Sequence, residues 1–239
     1  MRIINIVVIY GNERKGSTYN CVNIIKNNIK SYGDISFEEI HLTKDLPNNC
    51  IGCFNCINKG EKYCPHNETV SSILNSILEA DGVILASPVY GLDVSGAMKN
   101  LIDHLCFMWM PHRPKKEIFS KIGFVVSTSA GAGTKRTNKT MKTALNYMGF
   151  NRTYSFGIPV AASSWDDVKE KKKIKIEKIL RKKSRKYYNS LLSRDRLGNR
   201  LFTKVLFSMM KGMTKGFPDG HIDKEYWRSM GWYGKAKPY

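Results

Sequence analysis

The chain has no uninterrupted stretch of about 18 apolar residues, so no membrane-spanning helix is expected. Acidic residues are scarce. Asp and Glu number 20 against 39 Lys and Arg, for a formal net charge of +19. The deficit is uneven: residues 1–165 hold 12 acidic against 18 basic side chains, and residues 166–239 hold 8 against 21. Such a field suits an anionic partner, or else a solvated basic surface. A nucleic-acid-binding module is missing, so charge alone does not make this a nucleic-acid protein. Neither GxxxxGK[ST] nor GxGxxG occurs, which argues against a P-loop and a dinucleotide fingerprint. The five histidines show no paired metal spacing, and satisfied or exposed roles are expected for them. His66, beside Cys64, is the exception to watch. MRIINIVVIYGNERKG has an apolar stretch too short for a signal peptide and no small-residue cleavage site, so we expect a buried first strand and a cytoplasmic protein.

What is present is an alternation of short apolar runs and helical patterns. Strands are expected at 3–10, 35–42, 83–87, 122–127 and 151–160, and helices at 19–31, 70–80, 96–107 and 134–148. This order predicts an α/β fold with a five-stranded parallel sheet and helices on both faces. We divide the chain at 165/166. Beyond it the pattern predicts a long basic helix and then a second helix. On that second helix Leu201, Phe202, Val205, Leu206, Met209, Met210 and Met213 share one face, expected to pack on the core or a second subunit. The remainder, FPDGHIDKEYWRSMGWYGKAKPY, reads as irregular, and Trp227 and Trp232 are placed over a neighbouring active site.

Three strand ends carry ligand-friendly loops. GNERKGSTYN leads from strand to helix. Gly11, Gly16, Ser17 and Thr18 supply small residues and donors there, and Arg14 adds positive charge. SPVYG follows the third strand, with Tyr90 placed to cover a flat ring. STSAGAGT follows the fourth. In open parallel sheets the binding crevice lies at such strand ends. Trp109 and Met110 are placed nearby as further cover.

Gly11 to Thr18, Ser87 to Tyr90, Lys99 and Asp103 together make residues 1–160 resemble the flavodoxin-like NAD(P)H-dependent FMN reductase family. The resemblance implies a doubly wound flavodoxin-like core that binds FMN. Asn12, Arg14, Gly16, Ser17 and Thr18 would hold the phosphate. Pro88, Val89, Tyr90 and Gly91 would line the ring, with Thr128, Ser129, Gly131 and Gly133 on its other edge. It further implies NAD(P)H as donor, a small acceptor such as a quinone, nitro or azo compound, and a homodimer or homotetramer. No catalytic acid or base is required, because the flavin carries the chemistry. A non-enzymatic electron-transfer module and a flavin-free binding protein remain as alternatives.

Four of six cysteines fall in CIGCFNCINKGEKYC. The spacing Cys50-x2-Cys53-x2-Cys56-x7-Cys64, then Pro65, suits thiolates converging on a [4Fe–4S] cluster. It resembles the motif of the iron–sulfur flavoproteins. Redox or structural thiols and a zinc site are the other readings. With a cluster, an acidic ferredoxin becomes a partner for the basic extension. Cys21 and Cys106 occupy helical positions and read as buried small hydrophobes.

Overall fold

The computed structural model describes residues 3–239; the first two residues of the expected core unit lie outside the described residues. The chain runs β1 (Ile4–Tyr10), α1 (Ser17–Lys30), β2 (Ile35–His41), α2 (Leu42–Asp45), α3 (Asn55–Asn58), α4 (Asn67–Glu79), β3 (Gly82–Pro88), α5 (Gly96–His104), β4 (Ile122–Ser129), α6 (Thr134–Met148), β5 (Arg152–Pro159), α7 (Glu170–Leu192), α8 (Leu201–Lys215) and α9 (Ile222–Ser229). All strand pairs are parallel, in the order β2-β1-β3-β4-β5. This is the doubly wound flavodoxin-like order, and its switch point lies between β1 and β3.

The central strands are apolar on both sides because both faces are covered. Val7, Ile9, Val83, Leu85 and Val125 pack with α4, α5 and α6. Their neighbours Ile6, Val8, Ile84, Phe124 and Val126 face the other way, onto Val22, Ile25 and Ile29 of α1. The same second layer contains Ile176, Leu180, Tyr187 and Leu191. Thus α7, basic as it is, buries an apolar stripe on the sheet and on α1. Its lysines occupy the outer side, as in any surface helix.

Beyond α7 lies a third, smaller core of Met110, Phe119, Phe207, Trp227 and Trp232. It corrects two expectations. Residues 222–229 form a helix, and Trp227 and Trp232 are buried in this cluster, not laid over a neighbouring site. Met110 joins the same cluster, and Trp109 packs against Tyr147. Neither lines the strand-end cavity described below.

The stripe on α8 packs on the core only in part. Leu206 and Met210 pack on the third core, but Leu201 is 76% and Met209 61% exposed. Phe207, one position off the stripe, turns inward and stacks on Trp227 with ring centroids 4.8 Å apart. The aromatic contact sets the helix rotation, and the broad apolar stripe is left partly in solvent.

Candidate functional site

Loops after β1, β3, β4 and β5 meet at the carboxyl edge of the sheet. They enclose a cavity of about 320 Å³. Asn12, Arg14, Gly16, Ser17, Thr18, Pro88, Val89, Tyr90, Thr128 and Ser129 line it, as does Ser163. Ten of the thirteen expected positions therefore converge. Gly91, Gly131 and Gly133 are not among the lining residues. Gly91 and Gly133 shape the loops instead. Tyr90 and Asp93 exchange backbone hydrogen bonds of 3.0 and 3.1 Å around Gly91 and Leu92, both at positive φ. That is a tight primed turn, and glycine takes its first position without strain. At Gly133 (φ +96°) a Cβ would lie 2.5 Å from Val89 Cγ1.

The first loop is pinned from below. Ser95 Oγ donates to the Gly11 carbonyl at 2.8 Å and accepts from Met98 N–H at 3.3 Å, capping α5. Ser87 Oγ accepts from Ser95 N–H at 2.9 Å. Two strand-end loops are thereby tied through one buried serine. A Cβ at Gly11 would meet Ser95 Oγ at 2.4 Å, so the approach requires glycine.

The start of α1 has the character of an anion site. Its cap residue, Gly16, offers no side-chain acceptor, and no acidic residue occupies the first turn. The first N–H groups of a helix without such a partner attract negative charge. Thr18 and Thr128 share a 2.7 Å hydroxyl hydrogen bond across the cavity floor. Ser129 Oγ is buried without a partner. Asn12 Nδ2 donates to the Tyr90 hydroxyl at 3.4 Å, and Arg14 donates to the Ser163 carbonyl. Donors, an open helix start and an unsatisfied hydroxyl fit a phosphate with its attached polar chain. Ala130, Val160, Ala162 and Ser163 were not foreseen. The end of β5 is a fourth strand end, and that position was the available signal.

Lys99 and Asp103 form an i,i+4 ion pair on the outer face of α5, 2.5 Å apart and well exposed. Its role there is surface charge pairing.

The cysteine segment lies between β2 and α4. Cys50 and Cys53 are exposed, and Cys56 and Cys64 half-buried. Burial, and then charge at Cys56, Cys53 and Cys50, pushes the Cys64 thiol up. All four cysteines fall in the one segment between β2 and α4. Such a donor set suits an iron–sulfur cluster or zinc, because bound metal relieves the mutual repulsion of thiolates. One expectation is corrected here. Cys106 is not an inert packing residue: it is half-buried and hydrogen-bonded to Cys56. That bond first, and the Arg113 charge after it, lower the Cys56 thiol to about 6 against the opposing effect of burial. The histidines do pair: His66 Nδ1 lies 3.1 Å from His104 Nε2. With Cys64 their ligand atoms fall within 4.8 Å of one another. Residues 38 apart in sequence met through the packing of α5 beside the loop, which no local spacing announces. Burial lowers the His104 imidazole, and its Nδ1 contacts the Asn100 carbonyl at 3.0 Å. Asn100 also anchors the loop, accepting from Cys50 N–H at 2.8 Å and donating to the Asn48 carbonyl at 2.9 Å.

Comparison with known proteins agrees with this arrangement. The family model described as NADPH-dependent FMN reductase matches residues 4–161. An iron-sulfur flavoprotein of Archaeoglobus fulgidus is 34% identical over 96 residues, covering 40% of this chain and 41% of that protein. One from Methanocaldococcus jannaschii is 26% identical over 192 residues, covering 77% of this chain and 94% of its own. Among solved structures, an apo NADH:FMN oxidoreductase superposes with a TM-score of 0.56 at 18% identity, over 84% of this chain and 93% of that one. An FMN-dependent NADH-azoreductase of Bacillus anthracis in complex with FMN gives 0.55 at 14%, over 78% and 100%. At those identities the likeness is one of fold. The chain belongs to the NADPH-dependent FMN reductase family.

Proposed function

We propose that this family member binds FMN at the carboxyl edge of its sheet and uses it to oxidise NAD(P)H and reduce a second acceptor. The observation that carries the reading is the cavity itself, with the uncapped start of α1 at one end and Tyr90 at the other. Bound there, FMN would supply hydride and electron transfer. The chain's own residues bind and orient. The N–H groups of Ser17 and Thr18, with Asn12 and Arg14, would hold the phosphate. Pro88 to Gly91 would line the ring, and Thr128, Ser129, Gly131 and Gly133 would border its other edge. Tyr90, 52% exposed, is the side chain free to cover a flat ring system. The acceptor is a small molecule of the quinone, nitro or azo class. Residues 1–165 form the FMN-holding unit and residues 166–239 the basic extension. Assembly as a homodimer or homotetramer and a cytoplasmic location complete the proposal. No helix among the described residues is long and apolar enough to cross a membrane.

Cys50, Cys53, Cys56 and Cys64 would hold a [4Fe–4S] cluster, which would supply one-electron transfer. The placing of all four cysteines in one segment between β2 and α4 and the names of the iron-sulfur flavoprotein relatives support this. An acidic ferredoxin is then the matching partner for the extension's charge. A second reading, zinc, is favoured by the Cys64–His66–His104 trio, an S/N donor set typical of that ion.

The test is one spectrum and one assay on protein purified without oxygen, with FMN, iron, acid-labile sulfide and zinc measured together. Flavin bands with about four irons per chain support the cluster. Flavin with zinc and no iron supports the second reading. Protein that neither carries nor takes up FMN overturns the central proposal.

A further inference from the structure

The cysteine loop has almost no core of its own. Ile51 and Phe54 are 69% and 64% exposed, and Gly52 and Phe54 sit at positive φ. Beside the Asn100 anchor at Cys50, its support comes from outside through a buried ion pair. Arg113 is 3% and Asp223 1% exposed. Arg113 pairs with Asp223 on α9. The same guanidinium donates to the Cys56 carbonyl, and to the Ile57 carbonyl at 3.3 Å. Its Nε meets Glu61 at 3.4 Å, and Lys115 reaches the other Glu61 oxygen at 2.7 Å. Asp223 is held in turn, by His112 Nδ1 at 2.9 Å. The neighbouring turn of α9 is tied to the same segment: Trp227 Nε1 donates to the His112 carbonyl and the Tyr226 hydroxyl to the Pro114 carbonyl, each at 2.7 Å.

We infer that Arg113 and Asp223 are positioning residues for the cysteine loop, so that the C-terminal extension works as its strap. This rests on the reading of Cys50, Cys53, Cys56 and Cys64 as ligands. Three closely spaced thiolates bind one metal group well only if the backbone between them is fixed, and outer residues commonly do that fixing. A guanidinium suits the task because its planar fork reaches two carbonyls and two carboxylates at once. Without Asp223 the buried guanidinium would keep only the longer contact to Glu61, which is half-exposed and shared with Lys115, so the aspartate is its main buried counter-charge. None of these side chains lines the FMN cavity. The strap therefore acts on the cysteines and leaves the flavin alone.

The test uses full-length protein loaded with FMN, comparing wild type with Arg113→Lys and Asp223→Asn. Lysine keeps the charge for Asp223 but loses the fork. Three quantities are read: FMN per chain, the rate at which a chelator removes iron, and the rate of Cys56 alkylation in metal-free protein, located by mass spectrometry. For Arg113→Lys we expect unchanged FMN content and unchanged tryptophan emission. Iron loss should be about tenfold faster, in line with the usual effect of outer residues on metal sites, and Cys56 alkylation faster as well. Asp223→Asn should do the same or more; if it does not fold, Arg113→Lys decides. Unchanged iron loss and alkylation in a variant that holds FMN normally would overturn the strap. If wild type takes up no iron, the cluster reading fails by itself, and alkylation of Cys56 decides the strap: faster in Arg113→Lys supports it, unchanged overturns it.

Discussion

The strand-end loops and the cysteine loop are held in opposite ways. At the strand-end cavity, support comes from contacts among neighbouring loops on one edge of the sheet. Gly11 lies against Ser95, Gly133 against Val89, and Ser95, held by Ser87, joins two loops through its hydroxyl. All of it sits on the ends of strands whose other residues are buried core. At the cysteine loop, support is remote and made of side chains. Asn100 comes from α5, Arg113 from the segment before β4, and Asp223 from more than 150 residues beyond the last of the four cysteines. A rigid sheet edge positions loops at no further cost, whereas a long insertion needs partners recruited from elsewhere in the chain.

The contrast predicts separable failures. The largest effect should come from Trp227→Ala, which empties the centre of the third core and should cost about 3–5 kcal/mol of stability. Urea unfolding followed by tryptophan emission measures the loss. FMN content of the folded fraction should stay at the wild-type level; loss of flavin along with the core would erase the distinction between the regions. Next is Gly11→Ala. Its Cβ has to displace Ser95, and we expect a cost of about 1–3 kcal/mol, as for other overpacked sites. FMN titration should show affinity weakened by about tenfold, equivalent to about 1.4 kcal/mol. Cysteine alkylation should not change, which sharpens the comparison from the other side. Thr18→Val is smaller. It leaves the Thr128 hydroxyl buried without its partner, at about 1–2 kcal/mol. Fluorescence titration should find FMN binding reduced and the unfolding midpoint lowered slightly. Last is Met209→Ser, on the exposed side of α8, where stability should shift by no more than about 0.5 kcal/mol. A large loss there would mean that a partner surface covers the stripe in solution.

Much of the first region was legible in the sequence. Apolar runs ending in glycine, serine and threonine mark strand ends, and parallel connectivity forces those ends onto one edge. Arg14, Gly16, Ser17, Thr18, Pro88 and Tyr90 therefore fall together on that edge, and the family resemblance adds Asn12 and Thr128. The β5 end escaped because its AASS segment carries no such signature beyond small residues. The second region was legible only in its four cysteines. Cys106 and His104 sit on an ordinary amphipathic pattern, and Arg113 lies in the unremarkable PHRPKK. Their meeting with Cys56 and His66 depends on how α5 and the segment after it pack.

By itself the sequence determined the element order, the parallel doubly wound sheet and the strand ends that form the cavity. Those features follow from hydrophobic period and turn chemistry, which act over a few residues and are written locally. Tertiary structure alone decided that α7 covers the sheet, that Phe207 and not the methionine stripe turns α8 inward, and that Asp223 closes on Arg113. Each of these is a contact between distant segments, chosen by which packing buries the most aromatic surface and leaves no buried charge alone. No local pattern carries that information.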